Sequence, residues 1–396
     1  MDLQDKIKDL AFEYFKELVE IRRHLHANPE LSFHEYKTAS FVSTQLKKLN
    51  LIPQEGIAGT GVVVILEGKN PGKKVIALRG DMDALPILEA NDIPYKSKVD
   101  GVMHACGHDV HTTSLLGTAR ILNYLKDEFE GTIKFIFQPG EEKIPGGASL
   151  MIKEGVLDNP APAKIFGQHV TTFIPCGKVG FRPGMYMASA DELYITVKGK
   201  GGHGAMPEHN IDPIVIASHI IIALQQVVSR RASPKMPTVL SFGKIVGEGA
   251  TNIIPDVVKI EGTFRTFNEI WRSEAHDIMV KMAVNIAEGM GGSCEFKILR
   301  GYPFLVNEPE VTNRAKNAAI EYLGTENVLD LDLWLAAEDF SYYSQEIDAC
   351  FYRLGVRNEE KGIISSVHTP TFNVDEKSLQ IGSGLMAWLA IKELNS

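Results

Sequence analysis

Cys106, His108, Glu142, His169 and His368 can all bind a transition metal, and they lie in four separate stretches, "MHACGHDVHT", "FQPGEE", "KIFGQHV" and "SSVHTPTF". Thiolate, imidazole and carboxylate in one set suit Zn²⁺ or a similar first-row ion, whereas Mg²⁺ and Ca²⁺ prefer oxygen. Five ligands exceed the needs of one tetrahedral site, so a pair of metals bridged by Cys106 or a carboxylate is the natural reading. A structural zinc site would be marked by paired Cys-x-x-Cys motifs. Scattered ligands at strand ends instead favour an open, catalytic site.

The adjacent Glu141 and Glu142 can divide the work, with Glu142 on the metal and Glu141 as general base. A metal lowers the pKa of its water towards ~7, and a nearby carboxylate can take the proton and later hand it to a leaving amine. That chemistry is hydrolysis without a covalent intermediate. A second class is cysteine-nucleophile hydrolysis by Cys106 and a histidine, which needs a depressed thiol pKa and no metal. A third is a non-catalytic binding module, against which the base Glu141 and the complete ligand set argue.

The elements that must position these residues follow from periodicity. Short β-branched runs, "GVVVILEG", "KKVIALRGDMDALP", "GTIKFIFQPGEE" and "AKIFGQHV", alternate with helix-length amphipathic segments and predict an α/β domain with a mostly parallel sheet flanked by helices. Such sheets bind ligands beyond the carboxyl ends of their strands. Asp81, Asp83, Glu141, Glu142 and His169 all follow predicted strands, and Cys106 and His108 precede the helix expected from Val110.

At 396 residues the chain exceeds what one core usually supports. From about Tyr186 the order becomes βαββαβ, the pattern of a ferredoxin-like domain, here an insert. The expected layout is residues 1–186 for the first part of the catalytic domain, 187–298 for the inserted lid or dimerisation domain, and 299–396 for the second catalytic part.

The motifs "RGDMDALP", "MHACGHDVHT", "FQPGEE", "GQHV", "GKGGHGAMP", "TNIIPD", "GTFRTF", "AEDFS" and "VHTPTF", in that order, resemble the M20 family of metallopeptidases and amidohydrolases. The similar branch holds indole-3-acetyl-amino acid hydrolases, hippurate hydrolases, N-acetyldiaminopimelate deacetylases and thermostable carboxypeptidases. The resemblance implies the same ligands, Cys106, His108, Glu142, His169 and His368, with Glu141 as base and two divalent metal ions, Zn or Mn, per subunit. It places Asp83 as the aspartate that orients a metal-bound histidine. Asp81 stands where other branches carry a metal-binding histidine. Gly140 replaces the alanine usual before the paired glutamates, a change expected to have little chemical effect. In the insert, His203 resembles a lid histidine that stabilises the tetrahedral oxyanion, and Asn252 and Arg265 match residues that hold a substrate carboxylate. The implied substrate is an N-acyl-amino acid or short peptide, and the implied assembly a homodimer through the inserted domain.

The formal charge of −9 argues against nucleic acid, which needs a clustered basic face. The N-terminus reads as a domain helix rather than a signal. The most apolar helix, "IVIASHIIIAL", is shorter than the ~20 residues of a membrane span. A cytoplasmic protein is expected, with Cys176, Cys294 and Cys350 reduced bystanders. His24, His26, His34, His209, His219 and His276 read as ordinary core or surface residues. His104 and His111 are candidates for supporting roles near the site, and Glu338 and Asp339 either support ligands or start a helix. The glycines of "GKGGHG" do not match a phosphate loop.

Overall fold

The computed structural model describes residues 2–396. In chain order the first elements are α1 (Leu3–Ala27), α2 (Tyr36–Lys48), β1 (Gln54–Ile57), β2 (Gly61–Glu67), β3 (Val75–Asp81), α3 (His108–Tyr124), β4 (Thr132–Gln138), α4 (Gly147–Lys153), β5 (Lys164–Pro175), β6 (Val179–Phe181) and β7 (Gly184–Met187). There follow β8 (Asp191–Lys198), β9 (Gly202–His203), α5 (Pro213–Gln226), β10 (Thr238–Val246), β11 (Ile253–Ile254), β12 (Val257–Thr266), α6 (Glu269–Gly289) and β13 (Ser293–Arg300). The last are β14 (Leu305–Asn307), α7 (Pro309–Leu323), β15 (Val328–Asp330), α8 (Ser341–Glu346), β16 (Asp348–Arg357) and α9 (Ser378–Leu394).

These elements form two compact units, the first comprising the chain up to Tyr186 with Val306–Leu333 and Asp339–Ser396, the second Met187–Leu305 with Trp334–Glu338. The second unit therefore runs on to Leu305 rather than 298, and it takes in a short segment from the stretch assigned to the last part. That segment is held by a main-chain bridge from Met187 to Trp334 and by the Arg265 side chain, whose Nη1 donates to the Leu335 carbonyl at 2.9 Å. Composition carries no trace of such pairings.

In the first unit an eight-stranded sheet runs β1-β2-β4-β3-β5-β16-β6-β15. Its centre, β4-β3-β5-β16, is parallel; β1/β2, β2/β4 and β16/β6 are antiparallel. Every residue of β4 is buried, as expected of a strand covered on both faces, and α1, α3 and α9 pack on one another in the same core. The sheet's carboxyl rim is uneven. β3 stops pairing with β5 at Arg79 opposite Gly167, while β5 continues beside β16 to Pro175, so His169 lies within a strand and does not close it.

The second unit has a four-stranded antiparallel sheet in the order β10-β12-β8-β13, with α5 and α6 packed on it. Numbered within this sheet the order is 2-3-1-4, the ferredoxin-like arrangement of a βαββαβ chain. One expectation needs correcting. Helical structure continues from Pro213 to Arg231, 19 residues, which by length and composition alone is enough to cross a membrane. Ile216, Ala217, Ile220 and Leu224 of this helix are buried in the core of the second unit.

Candidate metal centre

The site lies in the first unit and begins where α3 does. Gly107, between Cys106 and His108, has φ of +88°, and a Cβ there would come within 2.4 Å of Val170 Cγ2 on β5. Only glycine allows both the left-handed turn and this close approach. The turn sends Cys106 and His108 into one space from either side of the helix start. The fourth stretch arrives separately, with the His368 N–H donating to the Ala105 carbonyl at 2.7 Å and His368 itself at φ of +61°.

Cys106 Sγ is 3.3 Å from His169 Nε2 and 3.3 Å from His368 Nε2. Glu142 Oε1 is 3.2 Å from His368 Nε2 and 3.9 Å from His108 Nε2, and Glu141 Oε2 is 4.0 Å from His108 Nε2. Three overlapping donor groups result, Cys106–His108–His169, Cys106–Glu142–His368 and His108–Glu141–Glu142, each with atoms within 4.8 Å of one another. His108 Nε2 is buried with no hydrogen-bond partner, and the buried Glu142 Oε1 faces His368 Nε2. An orphaned imidazole nitrogen beside two carboxylates, a thiol and two more imidazoles fits first-row divalent ions.

Asp83 organises this space. Its carboxylate accepts the main-chain N–H groups of Glu141 at 3.1 Å and Glu142 at 3.0 Å, and the Ser32 hydroxyl at 2.6 Å. His108 Nδ1 faces the Asp83 carbonyl at 2.9 Å and Oδ1 at 3.2 Å, which holds a proton on Nδ1 and turns Nε2 towards the other donors. His169 is set likewise, with Nδ1 donating to the Val170 carbonyl at 2.7 Å.

Beneath the rim lies Arg79, buried in β3. It donates to Asp81 Oδ2 at 2.5 Å, Gln138 Oε1 at 2.9 Å and Asp339 Oδ1 at 2.7 Å. The Asp339 carboxylate also accepts from Gln138 Nε2 and, at 3.0 Å, from the Ala148 N–H, while the Asp339 N–H approaches Glu141 Oε1 at 3.4 Å. Asp339 thus supports the paired-glutamate turn. Asp81 is near His108 and His111, but its carboxylate is already engaged by Arg79 and His111 and is no spare ligand. Sequence reasoning missed Arg79, Ser32 and Gln138. The only signal for Arg79 was a charge inside the apolar run "VIALRGD".

The electrostatics prepare ligands rather than a nucleophile. Burial pushes the Cys106 thiol up in pKa, and the Glu142 charge adds to this. Burial, then the Arg353 charge from the neighbouring strand, holds His169 well below the usual histidine range, so it stays neutral with a free lone pair. His368, the most exposed donor, is pushed up to about 10 by hydrogen bonds to Cys106 and Glu142. His104 is buried with neither ring nitrogen hydrogen-bonded, and burial lowers it to about 4. It lies outside the donor groups. His26, by contrast, is a core residue between Asp109 and Glu89, at 2.8 and 3.2 Å.

The second unit holds the other three predicted residues. His203 in β9 pairs with Ile253 in β11, and the Gly204 N–H donates to the Asn252 carbonyl at 2.9 Å, which brings the exposed His203 and Asn252 loops together. The His203 Nδ1 accepts from the Ala205 N–H at 3.1 Å. Arg265 is half-buried on β12, opposite Val239 of β10, and its Nη1 donates to the Leu335 carbonyl.

Donors gathered from four segments at a sheet rim, with a buried carboxylate alongside, are what a metal-dependent hydrolase requires. The chain is of that class: it belongs to peptidase family M20/M25/M40, which matches residues 77–392. It is 42% identical to thermostable carboxypeptidase 2 of Saccharolobus solfataricus, over 100% of both chains. It is 40% identical to the N-acetylcysteine deacetylase of Bacillus subtilis, over 94% of this chain and 96% of that one. Among solved structures, the Bacillus subtilis YXEP protein, described as a dinuclear metal-binding peptidase of the M20 family, superposes with a TM-score of 0.83 at 36% identity. That match covers 97% of this chain and 99% of that one.

Proposed function

We propose that this protein cleaves the amide bond of N-acyl-amino acids or short peptides, as a deacylase or carboxypeptidase, with Glu141 as general base. The observation that carries the reading is the buried, partnerless His108 Nε2, which faces Glu141 Oε2 at 4.0 Å and Glu142 Oε1 at 3.9 Å. Cys106, His108, Glu142, His169 and His368 would hold two divalent ions, Zn or Mn. Those ions would supply Lewis acidity, polarising the scissile carbonyl and acidifying the attacking water.

Glu141 takes the proton of that water and returns it to the leaving amine. Its N–H on Asp83 and its carboxylate by the Asp339 N–H keep it aimed at the donor groups. Asp83 keeps His108 and the glutamate turn in register. His203 is assigned to the oxyanion of the tetrahedral intermediate, and Asn252 and Arg265 to the substrate carboxylate, a role that suits an arginine fork. The names of the carboxypeptidase and deacetylase relatives support this substrate class. The proposal extends to a cytoplasmic homodimer joined through the inserted domain, without nucleic-acid or membrane partners; the charge of −9 supports the exclusion of nucleic acid.

A cysteine-nucleophile mechanism is disfavoured, because burial and Glu142 both hold Cys106 as a thiol when no metal is bound. The test is Glu141→Gln, which should keep both metals by elemental analysis while lowering kcat on a panel of N-acetyl, N-benzoyl and dipeptide substrates by ~10²–10⁴. Turnover at the wild-type rate would sink the assignment of the base. Activity that survived complete chelation would sink the metal reading.

A further inference from the structure

We propose that His111 is a positioning residue for the metal centre, acting on His169 through the main chain of Val170. The inference rests on the reading of His169 as a ligand. His111 lies in the first turn of α3, fully buried, and both of its ring nitrogens are committed. The Val170 N–H donates to His111 Nε2 at 2.8 Å, so that nitrogen carries no proton, and Nδ1–H donates to Asp81 Oδ1 at 2.6 Å. Asp81 is itself held, its other oxygen by Arg79 Nη1 and its carbonyl by the Thr112 hydroxyl at 2.6 Å.

Val170 is the residue that sets His169. Its carbonyl accepts His169 Nδ1–H at 2.7 Å, which frees His169 Nε2 to face Cys106. β3 stops pairing with β5 at Gly167, so this stretch of β5 lacks a strand neighbour on that side, and the His111 ring takes the Val170 N–H. The link therefore runs from His111 Nε2 through the Val170 main chain to His169, while Arg79 and Asp81 fix the tautomer of His111 that leaves Nε2 free to accept. Outer contacts of this kind fix the ring orientation and tautomer of a ligating histidine.

Two substitutions separate the two ring nitrogens. His111→Gln places an acceptor near the position of Nε2 and drops the donor to Asp81. His111→Asn places a donor near the position of Nδ1 and drops the acceptor for Val170. Zn²⁺ affinity is read by competition with a chromophoric chelator, and the His169 tautomer by ¹⁵N NMR of the metal-free protein.

Glutamine should hold Zn²⁺ within ~3-fold of wild type with His169 still protonated on Nδ1. Asparagine should weaken it ~10–100-fold and mix the tautomers. Equal losses in both variants, or no loss in asparagine, overturn the inference. If the asparagine variant does not fold, a loss in the glutamine variant of more than ~10-fold overturns it alone. His169→Ala is the control for the underlying reading. Unchanged affinity there defeats the assignment of His169 as ligand, whereas a loss there with no loss in His111→Asn defeats only the role of His111.

Discussion

Oδ1 of Asp83 stands 3.2 Å from Nδ1 of His108, and the same carboxylate accepts the main-chain N–H groups of Glu141 and Glu142 at 3.1 and 3.0 Å. One buried side chain therefore aims an imidazole donor from α3 and pins the turn that carries both glutamates. Burial would raise its pKa, but hydrogen bonds from His108, Ser32 and the Glu142 N–H outweigh this and keep it ionised.

Asp83→Asn should disturb both arms, because an amide offers one acceptor oxygen and turns an NH₂ towards groups that are themselves donors. A loss of ~10–100-fold in Zn²⁺ affinity is expected, measured by chelator competition. Unchanged affinity would remove Asp83 from this role.

Metal uptake should release protons. The Cys106 thiol is raised by burial and by Glu142, and His368 is raised to about 10, so both carry a proton at neutral pH without metal and both must lose it to coordinate. Apparent Zn²⁺ affinity should therefore rise between about pH 6 and 8. Calorimetric titration in buffers of differing ionisation enthalpy counts the protons, and a count of zero at pH 7 would contradict the assignment.

Gly140→Ala should cost stability, an effect separate from the chemistry of the site. Gly140 has φ of +59°, and a Cβ there would lie 2.4 Å from Phe33 Cε1. Its N–H also donates to Glu35 Oε1 at 2.8 Å, which ties it in place. A destabilisation of ~1–3 kcal/mol is expected from the left-handed backbone and the contact together, read by urea unfolding. Adding Phe33→Ala should relieve the part due to contact, and a strictly additive double variant would show that Phe33 is not the obstacle.

Behind the site, Arg22 Nε and His26 Nδ1 each lie 2.8 Å from Asp109 Oδ2, all three side chains being buried. Burial would raise the Asp109 pKa, but Arg22 and then His26 hold it well below the usual carboxylate range. A depressed native pKa contributes stability that is fully present above the unfolded value of about 3.9 and is lost as pH falls towards the native value. Arg22→Met should cost ~3–5 kcal/mol at pH 7 by leaving a buried charge unpaired, and should flatten the acid dependence below about pH 4. Denaturant unfolding at pH 7 and pH 3.5 tests both.

Much of the fold was legible locally. Apolar runs such as "GVVVILE" and "TIKFIFQ" declare buried strands because their period is a property of neighbouring residues, and the βαββαβ order of the second unit follows from the same patterns. The chemistry was legible as residue types, since thiol, imidazole and paired carboxylates have few joint uses. The extent of β5 beyond His169 and the Trp334–Glu338 segment of the second unit were not, because each depends on a partner distant in the chain.

By itself, then, the sequence determined which donors exist, in what order, and on which kinds of element. Only the tertiary structure decided that Cys106 sits 3.3 Å from both His169 and His368, that Asp81 is engaged by Arg79 and His111, and that Asp83 holds the glutamate turn. The reason is physical: periodicity is set over a few residues, whereas convergence at a rim depends on strand register and on where each strand stops, which long-range packing settles.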